Sequence, residues 1–217
     1  MKNKGKILIV MGLLLIAAAF FLTAYNLYDE VRAKRSAMQI MAYLETDVPY
    51  NFSTEPFETA EETNTTASLD EVEIPDYILN PDMDMSVENI NGIDYIGVLC
   101  IPALELELPV VSEWSYPALK TAPCRYDGSA YQDNLIIAAH NYKSHFGSLN
   151  NLREGDTVTF TDMDGNVFTY QMVEREILQP TDIKGMESGE WDLILFTCTI
   201  GGSSRIIVRF ERVDDEK

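Results

Sequence analysis

The sequence predicts a mostly β protein: a closed or nearly closed β-barrel of about seven or eight strands with few short helices, after an N-terminal transmembrane helix. Three observations lead to this prediction. Residues 7–25 are apolar and uncharged, residues 95–213 contain a series of short strand-like segments, and Asp164-Gly165 separates two of these segments. An Asp-Gly pair between two such segments is a strong hairpin signal.

The apolar run at residues 7–25 is predicted to be an uncleaved membrane anchor. A helix of 19 residues spans roughly 28 Å, which is close to the thickness of the hydrocarbon core. The alternative is a cleaved signal peptide, whose apolar region is usually shorter and precedes a small-residue cleavage site. Ala17-Ala18-Ala19 would suit such a site, but Phe20-Phe21-Leu22 continues the apolar run past it, which favours the anchor.

Basic residues flank the anchor on both sides. They are Lys2, Lys4 and Lys6 before it and Arg32, Lys34 and Arg35 after it. By the positive-inside rule the two orientations are therefore almost equally supported, and the amino-terminal charge slightly favours an N-terminus inside the cell.

The chain is predicted to have three parts. Residues 1–30 form a cytoplasmic stub and the anchor, residues 31–90 a helical and then acidic flexible linker, and residues 91–217 a β-barrel domain. Within the linker, residues 51–81 are rich in Glu, Thr, Ser, Asn and Pro and show little apolar periodicity, as is typical of a solvated segment. The net charge of −19 argues against a nucleic-acid partner, because phosphate binding needs a basic face.

The strands of the barrel are predicted from apolar runs and from alternation. Residues 104–108 alternate with period two, as a half-buried strand does, whereas residues 135–139 are continuously apolar. The predicted strands, in order, are 95–101, 104–111 interrupted by Pro109, 135–139, 157–161, 167–173, 174–178, 193–199 and 205–213. A short helix is predicted at residues 116–121.

No metal or other cofactor is predicted. The three cysteines, Cys100, Cys124 and Cys198, fit no zinc spacing, and the chain has only two histidines. Residues 162–166 lack the downstream Glu of a calcium loop, and a hairpin turn is the preferred interpretation. Because three is an odd count, at least one thiol stays unpaired, while pairing of Cys100 with Cys124 is left open.

Three side chains at strand ends suggest acyl-transfer chemistry. Cys198 closes the apolar run that begins at Leu193, Arg205 opens the next strand, and His140 follows the run 135–139. A thiolate is the nucleophilic form of Cys, a nearby cation lowers the pKa of a thiol, and an imidazole can protonate a departing amine. The plainer interpretations are a buried structural Cys198 and an ordinary surface or core His140, which is how His145 is interpreted.

These residues resemble the sortases, the membrane-anchored cysteine transpeptidases of Gram-positive bacteria. Thr197-Cys198 with Leu195, an Arg seven residues on and the strand-end His140 carry the resemblance. The segments 95–102, 106–110, 146–149 and 155–158 also agree, so the resemblance covers residues 95–213 and the anchor. Ile194 stands where the family usually has Thr, and this position is expected to pack rather than react.

The subclass is left open. The expected absence of a second membrane span after Val213 argues against the usual pilus-polymerising subclass, and the linker offers no obvious Asp-Pro-aromatic lid.

The resemblance implies roles for four residues. Cys198 attacks a Leu-Pro-x-Thr-Gly-like sorting signal of a surface protein, His140 protonates the leaving amine, Arg205 holds the substrate carbonyl or the oxyanion, and Thr197 assists in substrate binding. The partners are then the sorting-signal peptide, an amine from a cell-wall precursor or a protein lysine, and the lipid bilayer, with the catalytic domain outside the cell. Two alternatives remain: a cell-surface cysteine peptidase that only hydrolyses, and a non-enzymatic anchored binding module.

Overall fold

The computed structural model describes residues 2–47 and 74–213. Its helices are α1 (Lys2–Asp47), α2 (Asp76–Leu79), α3 (Tyr116–Leu119) and α4 (Ile183–Glu187). Its strands are β1 (Glu88–Ile90), β2 (Ile93–Ile101), β3 (Leu106–Val111), β4 (Cys124–Asp127), β5 (Leu135–Ala138), β6 (Thr157–Asp162), β7 (Val167–Leu178), β8 (Leu193–Cys198) and β9 (Arg205–Arg212).

Eight of these strands close a barrel, which confirms the predicted fold class. They follow the order β2-β3-β4-β5-β8-β9-β7-β6, and β6 pairs with β2 to complete the circle, while β1 pairs with β2 outside it. The closure depends on Gly97, because a β-carbon there would collide with the carbonyl oxygen of Thr161 and the ring of Phe160.

The burial of each strand follows its sequence pattern. In β6, buried and less buried residues alternate, whereas β5 is buried along its whole length and β8 up to Thr197. Strands β5 and β8 run parallel, and a parallel pair covered on both faces needs such continuous apolar runs. One face of this pair points into the barrel core with Leu135 and Leu195, and the other packs under outer elements with Ile136 and Ile194.

Some element boundaries differ from the prediction. The segments predicted at 167–173 and 174–178 form the single strand β7, which stays continuous through a register shift between Met172 and Glu174. Residues Pro102–Leu104 form a 3-10 turn, so β3 begins only at Leu106. Short strands β1 and β4 were not predicted, and the predicted helix at 116–121 is shorter.

The hairpin turn between β6 and β7 is built on Asp162. Its buried carboxylate accepts hydrogen bonds from the backbone N–H groups of Asp164 and Asn166, from the Asn166 side chain and from the Tyr131 hydroxyl. Gly165 has a φ of +84°, the left-handed conformation that such turns require. The residues of the former calcium-loop candidate therefore make a turn, as the sequence predicts.

The two other cysteines lie in separate strands. Cys100 in β2 and Cys124 in β4 are both buried and form no disulfide with each other. Burial raises the pKa of Cys124 to about 12, so this thiol stays protonated and inert near neutral pH.

Helix α1 changes character along its length. Its apolar first half is exposed, and it is the one helix of the described residues that is long and apolar enough to cross a membrane. Its second half buries Ala33, Ala37, Ile40, Met41 and Leu44, whose spacing defines one helical face, against the barrel. The three-part division of the chain stays a prediction, because residues 48–73, which include most of the acidic stretch 51–81, lie outside the described residues.

Candidate active site

The parallel pairing of β5 and β8 brings His140 and Cys198 to the same end of the barrel. Ala138 lies opposite Phe196 in the ladder, and the backbone N–H of Ala139 donates to the Phe196 carbonyl at 3.2 Å. Counting two residues onward along each chain puts His140 level with Cys198. Two adjacent strands thus deliver an imidazole and a thiol to one edge.

Thr197 holds these two strand ends together. Its hydroxyl donates to the carbonyl oxygen of Ala139 at 2.8 Å, and its side chain is 1% exposed. This contact lies within the protein, and the assignment of Thr197 to substrate binding stays a prediction.

Arg205 faces Cys198 from the third strand. In the antiparallel pair of β8 and β9, Cys198 and Arg205 are the terminal partners. The connecting loop is closed by the N–H of Thr199, which donates to the Ser204 carbonyl at 2.8 Å. Gly201 and Gly202 turn this loop with φ values of +85° and +71°, a conformation that costs glycine nothing.

The guanidinium of Arg205 is held by an aromatic ring. Its Cζ lies 5.6 Å from the ring centroid of Phe196, at a distance suited to a cation–π contact. Its buried Nε has no hydrogen-bond partner among the described residues. Arg205 therefore lies opposite Cys198 in the ladder and keeps a donor that a ligand can use.

Cys198 is the accessible thiol of this arrangement. It is exposed, whereas the rest of β8 is buried, so the strand ends where its thiol reaches the surface. An accessible thiol beside an arginine and a histidine is suited to nucleophilic attack on a carbonyl carbon.

His140 is half-buried, and this burial lowers the pKa of its imidazole below 6.5. The charge of Lys120 lowers this pKa further, while the carboxylate of Asp29 on α1 opposes both effects. The ring of Tyr142 lies 5.0 Å from that of His140. Sequence reasoning missed Asp29 and Lys120, because only the packed fold brings them to His140.

His145 lies beside this site but is buried completely. Its ring is 5.6 Å from that of Tyr142, and both of its nitrogens lack a hydrogen-bond partner among the described residues. Burial, with a smaller effect from His140, lowers the pKa of His145 to about 4. The imidazole is therefore neutral near pH 7, as expected of a core residue.

The residues with described positions include no cluster of three or more His, Cys, Asp or Glu side chains able to hold a metal ion.

Comparison with known proteins identifies the domain. The family profile described as the sortase domain matches residues 99–213. No curated protein sequence matches the chain significantly.

Several solved structures share the fold. Sortase A from Corynebacterium diphtheriae is similar over 56% of this chain and 62% of that chain, with 22% identity and a TM-score of 0.52. Sortase C from Clostridium perfringens SM101 is similar over 67% of this chain and 78% of that chain, with 23% identity and a TM-score of 0.50. At these identities the likeness shows a common fold.

Proposed function

Because the chain belongs to the sortase family, we propose that it is a cysteine transpeptidase that cleaves a Leu-Pro-x-Thr-Gly-like sorting signal and joins the acyl product to an amine. The observation that carries the proposal is the convergence of His140, Cys198 and Arg205 at one barrel edge through the β5–β8 and β8–β9 pairings. Each of the three side chains has one task in the proposed reaction.

In the first half-reaction, the Cys198 thiolate attacks the carbonyl carbon of the Thr–Gly bond and forms a tetrahedral intermediate. The C–N bond then breaks, and His140 gives its proton to the departing amine. The products are a thioester on Cys198 and a released peptide that begins with glycine. Protonation of the amine is the demanding part of this step, because an amide anion is a very poor leaving group.

In the second half-reaction, an amine attacks the thioester carbonyl. His140 accepts the proton of that amine, a new amide bond forms, and Cys198 leaves as the thiolate. We propose that the amine belongs to a cell-wall precursor or to a protein lysine. Water in place of the amine gives hydrolysis.

Arg205 stabilises the oxygen of the attacked carbonyl. Its position opposite Cys198 and its unpartnered Nε support this role, because donors fixed at a developing oxyanion lower the barrier to attack. Thr197 contributes indirectly by tying Cys198 to the strand that leads to His140, and we also assign its backbone to the wall of the substrate pocket.

The enzyme acts outside the cell, with helix α1 as a single-pass anchor and its N-terminus inside. The exposed apolar first half of α1 supports the anchor, and the need to meet exported surface proteins supports the orientation.

Peptide cleavage by the full chain tests the proposal. A Leu-Pro-x-Thr-Gly peptide is incubated with the wild type and with Cys198→Ala, with and without a glycine-based amine, and the products are identified by mass spectrometry. We expect cleavage only by the wild type and an amide product when the amine is present. Cys100→Ala is the matched control, because it removes a buried thiol on β2, which lies four strands from β8 in either direction around the barrel.

The results separate the alternatives. Hydrolysis that an added amine leaves unchanged would identify a peptidase. Equal turnover by Cys198→Ala and the wild type would defeat both enzyme proposals, whereas no turnover of any peptide in a panel varied at the signal positions would favour a binding module.

A further inference from the structure

A cationic pocket lies where the N-terminal helix meets the barrel. It has a volume of about 440 Å³ and lies between α1 and α3. Its lining residues are Arg32, Ser36, Tyr116, Pro117, Lys120 and Thr121. The lining thus combines two cations and three hydroxyl groups with no carboxylate.

The two cations of this pocket are exposed side chains. Neither Arg32 nor Lys120 makes an ion pair with a described residue, whereas Arg209 and Arg212 of the barrel are both paired with carboxylates. Both charges face the same cavity, so an anionic ligand bound there would meet two cations at once.

The pocket lies at a defined height above the predicted membrane span. Arg32 follows the end of the apolar run at Tyr25 by seven residues, or about 10 Å along a continuous helix. Side chains of an α-helix tilt toward its N-terminus, so the Arg32 side chain reaches back toward the bilayer. The polar headgroup layer is about 5–8 Å thick on each side of the hydrocarbon core, so the guanidinium reaches the depth of the lipid phosphates.

The barrel is held at the same height. Ala33 and Ala37, which directly follow the pocket residues Arg32 and Ser36 on α1, are buried. Lys120 lines the pocket from the barrel side. Because Lys120 shares the pocket with Arg32, the second cation is presented at the same height.

We propose that this pocket binds the phosphate group of a membrane lipid and so seats the barrel on the bilayer. Arginine donates paired hydrogen bonds to phosphate oxygens, lysine adds a compact charge, and the hydroxyls of Ser36 and Thr121 can complete the shell. The inference rests on the proposed crossing of the membrane by α1 and not on the transpeptidase activity.

Titration of the full chain in non-ionic detergent micelles tests this site. The probes are dihexanoyl phosphatidylglycerol, dihexanoylglycerol, which lacks the phosphate, and inorganic phosphate. Trp114 provides a local signal, because its ring lies 5.1 Å from that of Tyr116 in the pocket wall. We expect saturable binding of the phospholipid, at least tenfold weaker binding of inorganic phosphate, and no response to dihexanoylglycerol.

A matched pair of double variants separates a specific site from diffuse attraction. Arg32→Gln with Lys120→Gln removes both cations of the pocket, and we expect at least tenfold weaker phospholipid binding. Lys34→Gln with Lys143→Gln removes the same charge from the separate groove on the other flank of α1 and should change the affinity less than threefold. Melting temperatures of all variants show whether the fold is retained, and the single variant Lys120→Gln repeats the test with a smaller change.

Three results would overturn the proposal. The first is no saturable phospholipid binding by the wild type. The second is equal weakening by both double variants, which would show diffuse attraction. The third is inorganic phosphate binding as tightly as the phospholipid, which would make the pocket a site for free phosphate. Peptide cleavage by the wild type and by Lys34→Gln with Lys143→Gln reports on the proposed function separately.

Discussion

The hydroxyl of Thr197 donates a hydrogen bond of 2.8 Å to the carbonyl oxygen of Ala139. Thr197 directly precedes Cys198, and Ala139 directly precedes His140. A single buried contact thus joins the ends of the two strands that carry the proposed nucleophile and acid. The relative position of the thiol and the imidazole depends on this contact, because the β5–β8 ladder ends one residue earlier, at Ala138 and Phe196.

Replacing Thr197 by Val should therefore reduce both activity and stability. Valine keeps the shape but loses the donor, which we expect to cost about 1–2 kcal/mol of unfolding free energy and roughly tenfold in kcat/KM. Urea unfolding and peptide cleavage measure the two effects. Thr197→Ser keeps the hydroxyl and should retain most of the activity, so equal losses in both variants would argue against the hydrogen bond as the cause.

The strand-end residues could be predicted because the apolar runs before them show where each strand ends. Ile194 illustrates this, since its expected packing role agrees with a side chain that is 3% exposed in the cluster on the outer face of β8. The electrostatic setting of His140 could not be predicted. Asp29 and Lys120 lie 111 and 20 residues before it in the sequence, and only tertiary packing brings their charges to the ring.

Some strand boundaries could not be predicted, because a bulge interrupts the pattern of one strand and two other strands are very short. Strand β7 continues through its bulge, where hydrophobic alternation is interrupted at Glu174, so the pattern indicates two strands where there is one. Strands β1 and β4 are only three and four residues long, which is too short for a clear period-two signal.

Substitutions at Lys120 and Asp29 should shift the pKa of His140 in opposite directions. The cation of Lys120 disfavours the imidazolium, so Lys120→Gln should raise this pKa, whereas Asp29→Asn removes a stabilising anion and should lower it. NMR titration of the imidazole signals measures both shifts, with His145→Phe used to assign the two histidines. Shifts of the same sign in the two variants would contradict the arrangement.

The activity should follow the protonation of His140. Because burial places its pKa below 6.5, the imidazolium required to protonate the leaving amine becomes scarcer as the pH rises above that pKa. Lys120→Gln should therefore move the alkaline limb assigned to His140 in the kcat/KM profile to higher pH. A limb that stays in place while the NMR titration shifts would assign that limb to another group.

His145 should make the folded state sensitive to acid. Its pKa falls from 6.5 in the unfolded chain to about 4 in the folded one, so the unfolded state binds the extra proton between these values. The part of the unfolding free energy that depends on His145 is fully present above about pH 6.5 and is lost as the pH drops toward about 4. We expect protonation of His145 in the unfolded state to lower the free energy of unfolding by about 2 kcal/mol between pH 7 and pH 5.

The variant His145→Phe isolates this contribution. The phenyl ring replaces two buried nitrogens that lack partners among the described residues, and it cannot bind a proton. Urea unfolding at about pH 7 and pH 5 should show a smaller loss of stability in the variant than in the wild type. Equal losses would mean that carboxylates elsewhere cause the acid sensitivity.

Arg209 should be the most important charged residue for the stability of the barrel wall. It is 2% exposed, pairs with Glu174 at 2.6 Å and Glu176 at 3.0 Å on β7, and donates to the carbonyl of Gly185 in α4 at 2.7 Å. A lysine ammonium cannot span these three acceptors, because they lie around a planar fork.

We expect Arg209→Lys to lower the unfolding free energy by about 2 kcal/mol. This loss is smaller than that expected for a fully buried ion pair, because both carboxylates are half-exposed. For a domain of this size that corresponds to a fall of roughly 5–10 °C in the melting temperature. Arg212→Lys is the matched control, since its pair with Asp133 is more exposed and should contribute about 0–1 kcal/mol. Similar falls for the two variants would show that the contact of Arg209 with α4 adds nothing beyond a surface ion pair.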